Sequence, residues 1–267
     1  MRALAEIYIQ QFKTTVASMF QYRASLLIWM IGQVLEPLVY LIVWSKVSAG
    51  SGGSVGSYTT SDFAAYFIVL MVVNQVTYTW IMYEYEYRVR EGYLSFALLK
   101  PVHPIHSDIA SNISSKLLTL PIMILIAIGL GAAFHASIAP APWAIAIFIP
   151  ALLLAFMVRF LLEWSLAQAA FWTTRVGAVN QMYFVVMLFL SGQIAPLALL
   201  PYPIRIISML LPFRWIISFP VELLLGRLTL GGALIGLAAQ ATWLIVSLVL
   251  VRIVWRAGIR IYSAVGA

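Results

Sequence analysis

"YEYEYRVREGYLSFALLKP", residues 83–101, can be read as strand or as helix, and the choice decides the fold class. Only 9% of the chain is charged, yet Glu84, Glu86, Arg88, Arg90, Glu91 and Lys100 crowd into this stretch. From Tyr83 to Arg90 apolar or aromatic residues alternate with charged ones, the period of a half-buried strand. An open-edged strand leaving an apolar helix, however, would find no partner for its backbone groups. Continued as a helix, the segment sets Glu84 against Arg88 and Glu86 against Arg90 at i, i+4. The acid is N-terminal in each pair, the favoured order, worth about 0.2–0.5 kcal/mol per pair. The helix reading prevails. Gly92 supplies a stop, and Pro101 and Pro104 bound a short segment, Tyr93 to Lys100.

The surroundings agree. Of 267 residues, 63% are hydrophobic, whereas a soluble domain averages about 45–50% apolar and about 25% charged. Long apolar runs with few charges read as membrane spans of roughly 20 residues. The expected class is all-α, a polytopic membrane protein. The net charge of +7 does not form a basic face, so nucleic acid is not an expected partner; the bilayer is. With no cysteine, disulfides, thiolate chemistry and Cys-ligated metals are excluded. The first long apolar run carries Glu36 and reads as a retained helix rather than a signal peptide.

Along the chain, residues 1–23 space their apolar positions for an amphipathic surface helix, or else extend the first span. Span one is expected over about Ala24–Trp44, followed by a flexible Ser/Gly loop. Span two, capped by Thr60 or Ser61, covers about Phe63–Tyr83. Spans three, four, five and six cover about Leu117–Phe134, Trp143–Leu162, Val176–Gly192 and Ala233–Val254. Between the last two, Pro196, Pro201, Pro203, Pro212 and Pro220 preclude one span and suggest two short re-entrant helices within 193–227. Arg2, Lys13, Arg23, Arg88, Arg90, Lys100, Lys116, Arg175, Arg256 and Arg260 fall at one set of ends. Lys46, Arg205, Arg214 and Arg227 fall at the other. The richer side is expected to be cytoplasmic, with both termini there.

Tyr93, Leu94, Phe96, Ala97, Leu98 and Leu99 are apolar nearly all round, unlike a helix exposed to water. The segment either rests among lipid headgroups or plugs into a groove of a cytoplasmic partner. "VREGYLSFALLKPVHP" (89–104) and "SGQIAPLALLPYPIRIISMLLPFRW" (191–215), with the amphipathic start, "QVLEPLVYLIVW" (33–44) and the tail "WRAGIRIYSAVGA", resemble the ABC-2 type permeases. These are membrane subunits of one class of ATP-binding-cassette exporter, and the likeness spans essentially the whole chain. It implies a single permease domain over 1–267 whose cytoplasmic coupling region, 84–106, contains Arg90, Glu91, Gly92, Tyr93, Leu94, Phe96, Leu98 and Lys100. It also implies cytoplasmic ABC ATPase subunits, a second permease subunit, identical or related, and a bacterial-type plasma membrane. ATP and Mg would be held by the ATPase. The chain itself has no G-x-x-x-x-G-K-[ST] to cradle phosphates, so no cofactor is expected on it.

Three polar positions fall at mid-membrane depth. Glu36 lies about 18 Å along a helix from Ala24, and Asn74 and Gln75 reach a similar depth from the opposite side. They read as a substrate path, with Glu36 favouring cationic or hydrogen-bonding cargo, or as an interhelical packing contact. Arg159 and Glu163 are placed as an i, i+4 pair near the cytoplasmic headgroups, where Arg snorkels. His103 and His106 form H-x-x-H without a carboxylate on the same face. A secondary transporter, which usually carries inverted repeats with matching broken helices, and a membrane-embedded enzyme, which needs a nucleophile–base pair, stand as alternative functions.

Overall fold

A computed structural model describes residues 2–173 and 176–262. Arg175 and the end of the tail, 263–267, lie outside the described residues. The class is all-α. Helices α1 (Arg2–Gln21) and α2 (Arg23–Gly50) precede a small hairpin, β1 (Ser54–Val55) and β2 (Tyr58–Thr59). Then come α3 (Thr60–Thr77), α4 (Ile81–Arg90), α5 (Tyr93–Leu98), α6 (Pro104–Ala133), α7 (Pro142–Ala167) and α8 (Val176–Leu190). Three short helices, α9 (Tyr202–Leu210), α10 (Pro212–Ile216) and α11 (Ser218–Leu224), lead to α12 (Leu230–Gly258). Among the described residues, five helical stretches are long and apolar enough to cross a membrane: α2, α3 with α4, α6, α7 with its 3-10 extension to Phe171, and α12. α8 is apolar but shorter.

Local chemistry sets the helix starts. Pro104 and Pro142 occupy first turns, where a missing N–H costs nothing. Thr59 caps α3: its hydroxyl oxygen accepts from the Asp62 N–H at 3.2 Å, and the Asp62 carboxylate accepts from the Thr59 N–H at 2.9 Å. The cap is therefore one residue earlier than Thr60, because only Thr59 has an acid at the third helical position.

α3 is apolar all round and becomes the centre of the bundle. Phe63 through Met71 are all buried, against α2, α6, α7 and α11. α12 packs along α7, and a Cβ on Gly236 would lie 1.9 Å from the Phe219 ring, so that contact requires glycine. α1 runs beside the first part of α6, with the Tyr8 hydroxyl 3.4 Å from His106 Nδ1.

The bundle has two distinct ends. At one, α5 and the residues after α12 meet: the Ser95 and Tyr262 hydroxyls are 2.9 Å apart, and Phe171 contacts Tyr85, Trp255 and Tyr262 edge-on. At the other, the hairpin meets the short helices. Arg227 lies 3.7 Å from the Tyr58 ring centre and pairs with Asp62 at 3.1 Å. Trp44 donates to the Ile194 carbonyl at 2.7 Å.

Four sequence expectations are corrected. The Ser/Gly loop is ordered: α2 runs on to Gly50, and Gly56-Ser57 closes a two-residue hairpin with Gly56 at φ +59°. After a 3-10 turn at Leu197–Leu199, three short α-helices rather than two follow α8, because the chain breaks both at the extended Leu211 before Pro212 and again at Ile217. Span two does not run unbroken through Tyr83; it stops at Thr77 and restarts at Ile81. Lys116 sits within α6 rather than at a helix end.

Candidate functional site

At the α5 end, Arg88 bridges Glu84 and Asp108, both at 2.5 Å. Asp108 is buried and also accepts from Trp164 Nε1 at 3.0 Å. The Glu84–Arg88 pairing follows the i, i+4 expectation. The Glu86–Arg90 pairing does not: α4 ends at Arg90, whose Nε turns to the adjoining Glu91 at 3.2 Å. Both partners there are well exposed, so the bridge contributes little.

Gly92, at φ +75°, makes the turn into α5, a conformation that favours glycine. α5 is anchored by Leu94, fully buried, and by Ser95 against Tyr262. The rest of its apolar surface faces outward: Phe96 is 67% exposed, Leu99 83% and Tyr93 51%. Leu98, Arg90, Glu91 and Lys100 are exposed around them. One rooted leucine thus holds a small apolar knob clear of the bundle.

Deeper, the interruption between α3 and α4 gathers polar groups. Arg159 donates to Glu163 at 2.7 Å, to the Asn74 side chain at 2.8 Å and to the Thr77 hydroxyl at 3.1 Å. Thr79 also donates to Glu163, and Tyr183 does so at 3.3 Å. Lys116 donates to the Tyr78 carbonyl at 2.6 Å. Arg159 and Glu163 are the expected pair, but they do not snorkel: their side chains are 2% and 0% exposed. Burial is tolerable because each charge is paired and further hydrogen-bonded.

Two cavities flank this junction. The first, about 350 Å³, is lined by Gln33, Glu36, Asn74, Tyr78, Arg159 and Gln181 among others. Glu36 is exposed, with no hydrogen bond or ion pair among the described residues. The structure thus brings Glu36 and Asn74 to one wall. Gln75 is turned away: it is 2% exposed and donates to Thr119 at 2.8 Å. It lines the second cavity, about 370 Å³, with Trp29, Tyr78, Trp80, Lys116 and Thr119. A third cavity, about 310 Å³, lies at the hairpin end beside Tyr58, Arg205, Arg214, Glu222 and Arg227. There burial, aided by Glu222, pushes the Tyr58 hydroxyl up to about 12.

His103 accepts from the Ile105 N–H as the α6 cap, and burial lowers its pKa. Among the described residues no three His, Asp or Glu side chains are grouped to hold a metal. Sequence reasoning missed the roles of Lys116, Thr79 and Tyr183. A lone lysine between apolar runs is the signal that could have marked Lys116, had it not been counted as a helix end.

A family model described as ABC-2 family transporter protein matches residues 26–266. Among curated proteins, none matches the chain by sequence.

Proposed function

We infer, from the premise that the chain belongs to the ABC-2 family of transporter membrane proteins, that it is the permease subunit of an exporter driven by a separate ATPase. Membership makes it a multi-pass membrane protein and an ABC permease component that works with an ATP-binding subunit. The finer reading is ours: six spans, counting α8, with both termini cytoplasmic in a bacterial-type plasma membrane, and a second permease subunit completing the path. ATP and Mg belong to the ATPase. The cargo is hydrophobic or amphipathic, and Glu36 suits one with a cationic or hydrogen-bonding group.

One observation carries this reading. α5 is too short to be held by its own hydrogen bonds, yet it is rooted at Leu94 and presents Phe96, Leu99 and Tyr93 outward. An apolar knob on a charged, Lys/Arg-rich end suits a groove in a soluble partner. Glu36, free and exposed beside the first cavity, supports a path past α2, α3 and α7.

Purification from native membranes, with identification of every co-purifying chain, tests the assembly. An ABC ATPase and a second permease subunit are the expected companions. A chain that purifies alone and moves cargo on an ion gradient without ATP refutes the reading.

A further inference from the structure

The second cavity holds polar groups that the transport reading does not use. It lies where α1 meets α2, against α3 and α6, lined at its rim by Ser18 and Tyr22 and walled by Trp29, Tyr78 and Trp80. Lys116 lines it, half-buried. Its contacts are the Tyr78 carbonyl at 2.6 Å and the Phe156 ring, 5.1 Å to the centre. No ion pair among the described residues includes it. An ammonium has three donors, so this one retains bonding capacity, and the nearby carboxylate, Glu163, is already paired with Arg159.

Gln75 borders the cavity without offering its amide to it. The Thr119 hydroxyl donates to the Ser115 carbonyl at 3.0 Å, so it can only accept from Gln75. That fixes the Gln75 amide nitrogen on Thr119 and leaves Gln75 Oε1 buried with no donor. The cavity therefore suits an anionic group beside an aromatic wall that can receive an apolar chain. Its volume of about 370 Å³ falls within the ~300–1,000 Å³ of small-molecule sites.

We propose that this cavity binds a membrane lipid with a net-anionic phosphate headgroup, its phosphate facing Lys116. The Trp29, Tyr78 and Trp80 rings receive the start of its acyl chain. A lipid is favoured over a soluble anion because the wall is aromatic and the rim is formed by the junction of α1 with the first long apolar helix. The proposal rests on the membrane placement and not on the direction or cargo of transport.

The test titrates the full-length purified chain with phosphatidylglycerol and, separately, phosphatidylcholine, counting bound lipid by native mass spectrometry. Phosphatidylcholine keeps the phosphate but cancels its charge with a quaternary ammonium, so the pair differ in the net charge that Lys116 meets. Expected is a preference for phosphatidylglycerol of about tenfold or more, the size of a charge-assisted hydrogen bond. Lys116→Gln should abolish that preference, whereas Lys13→Gln, an exposed lysine on α1, should preserve it. Ser115→Phe fills the cavity while keeping Lys116, and should lose binding even if Lys116→Gln does not fold. Equal binding of the two lipids, wild-type binding by Ser115→Phe, or displacement by inorganic phosphate at millimolar concentration would each overturn the proposal.

Discussion

Removing the ring of Phe96 should separate docking from folding. The side chain is 67% exposed on α5, and an aromatic side chain buries about 200 Å² when covered. A groove that closes over the exposed part would hide about 130 Å², worth about 3 kcal/mol at roughly 25 cal/mol per Å². Ordering costs consume part of this, so Phe96→Ala should weaken ATPase binding by at least about tenfold, or about 1.4 kcal/mol. The bundle should not notice, because α5 is held by Leu94 and by Ser95 against Tyr262. Leu94→Ala is the contrasting change: truncating a fully buried leucine costs about 2–5 kcal/mol and should loosen α5 itself. The assay is binding of purified ATPase to the reconstituted permease, alongside thermal unfolding of the permease alone. Wild-type ATPase affinity in Phe96→Ala, with transport intact, would mean that α5 merely rests on lipid.

Glu163→Ala strands Arg159 in the interior and should destabilise the protein by about 3–5 kcal/mol, read as a lowered unfolding midpoint; an unchanged midpoint would deny the cluster a structural role. The double change Arg159→Met with Glu163→Leu should recover much of that loss. Glu36→Gln should leave the unfolding midpoint unchanged, since Glu36 has no hydrogen bond or ion pair among the described residues to lose, while altering export of cationic cargo; lowered stability with unchanged export would favour a packing role instead. The native chain has no cysteine, so a single Ser54→Cys in the hairpin should react with an impermeant thiol reagent only from outside, and labelling from the cytoplasm alone would invert the topology.

Features governed by neighbouring residues were legible in the sequence. Gly92 opens α5 as composition suggests, and Glu84 meets Arg88 because an i, i+4 spacing is a property of the helix itself; the third span, read from Leu117, in fact begins as α6 at Pro104. The hairpin was also legible, in Gly56-Ser57 between Val55 and Tyr58, but the surrounding glycines read as slack. The interruption at Tyr78–Trp80 was not. No proline or glycine lies there, and what stabilises the opened backbone comes from distant chain: Lys116 on the Tyr78 carbonyl, and Glu163 on Thr79. For the same reason the sequence put Arg159 among headgroups. Depth along a helix can be counted from residue numbers, whereas the presence of Asn74, Thr77 and Tyr183 around one guanidinium cannot.

The gap between α3 and α4 has a mechanical meaning. A continuous helix from Thr60 to Arg90 could only carry displacement along its own axis. Cut once, the same length becomes a fixed post and a short crank. α3 is clamped on all sides by the bundle, and α4, ten residues long, gives an arm of about 15 Å. A tilt of about 10° at the joint would swing the Gly92 end through roughly 2–3 Å, given that arm length. Around the joint sit Arg159, Glu163 and Lys116; Arg159 lines the first inner cavity, Lys116 the second, and Tyr78 both. Were a partner to push on α5, the joint at the Tyr78 backbone, where the two hollows adjoin, is where the displacement would arrive.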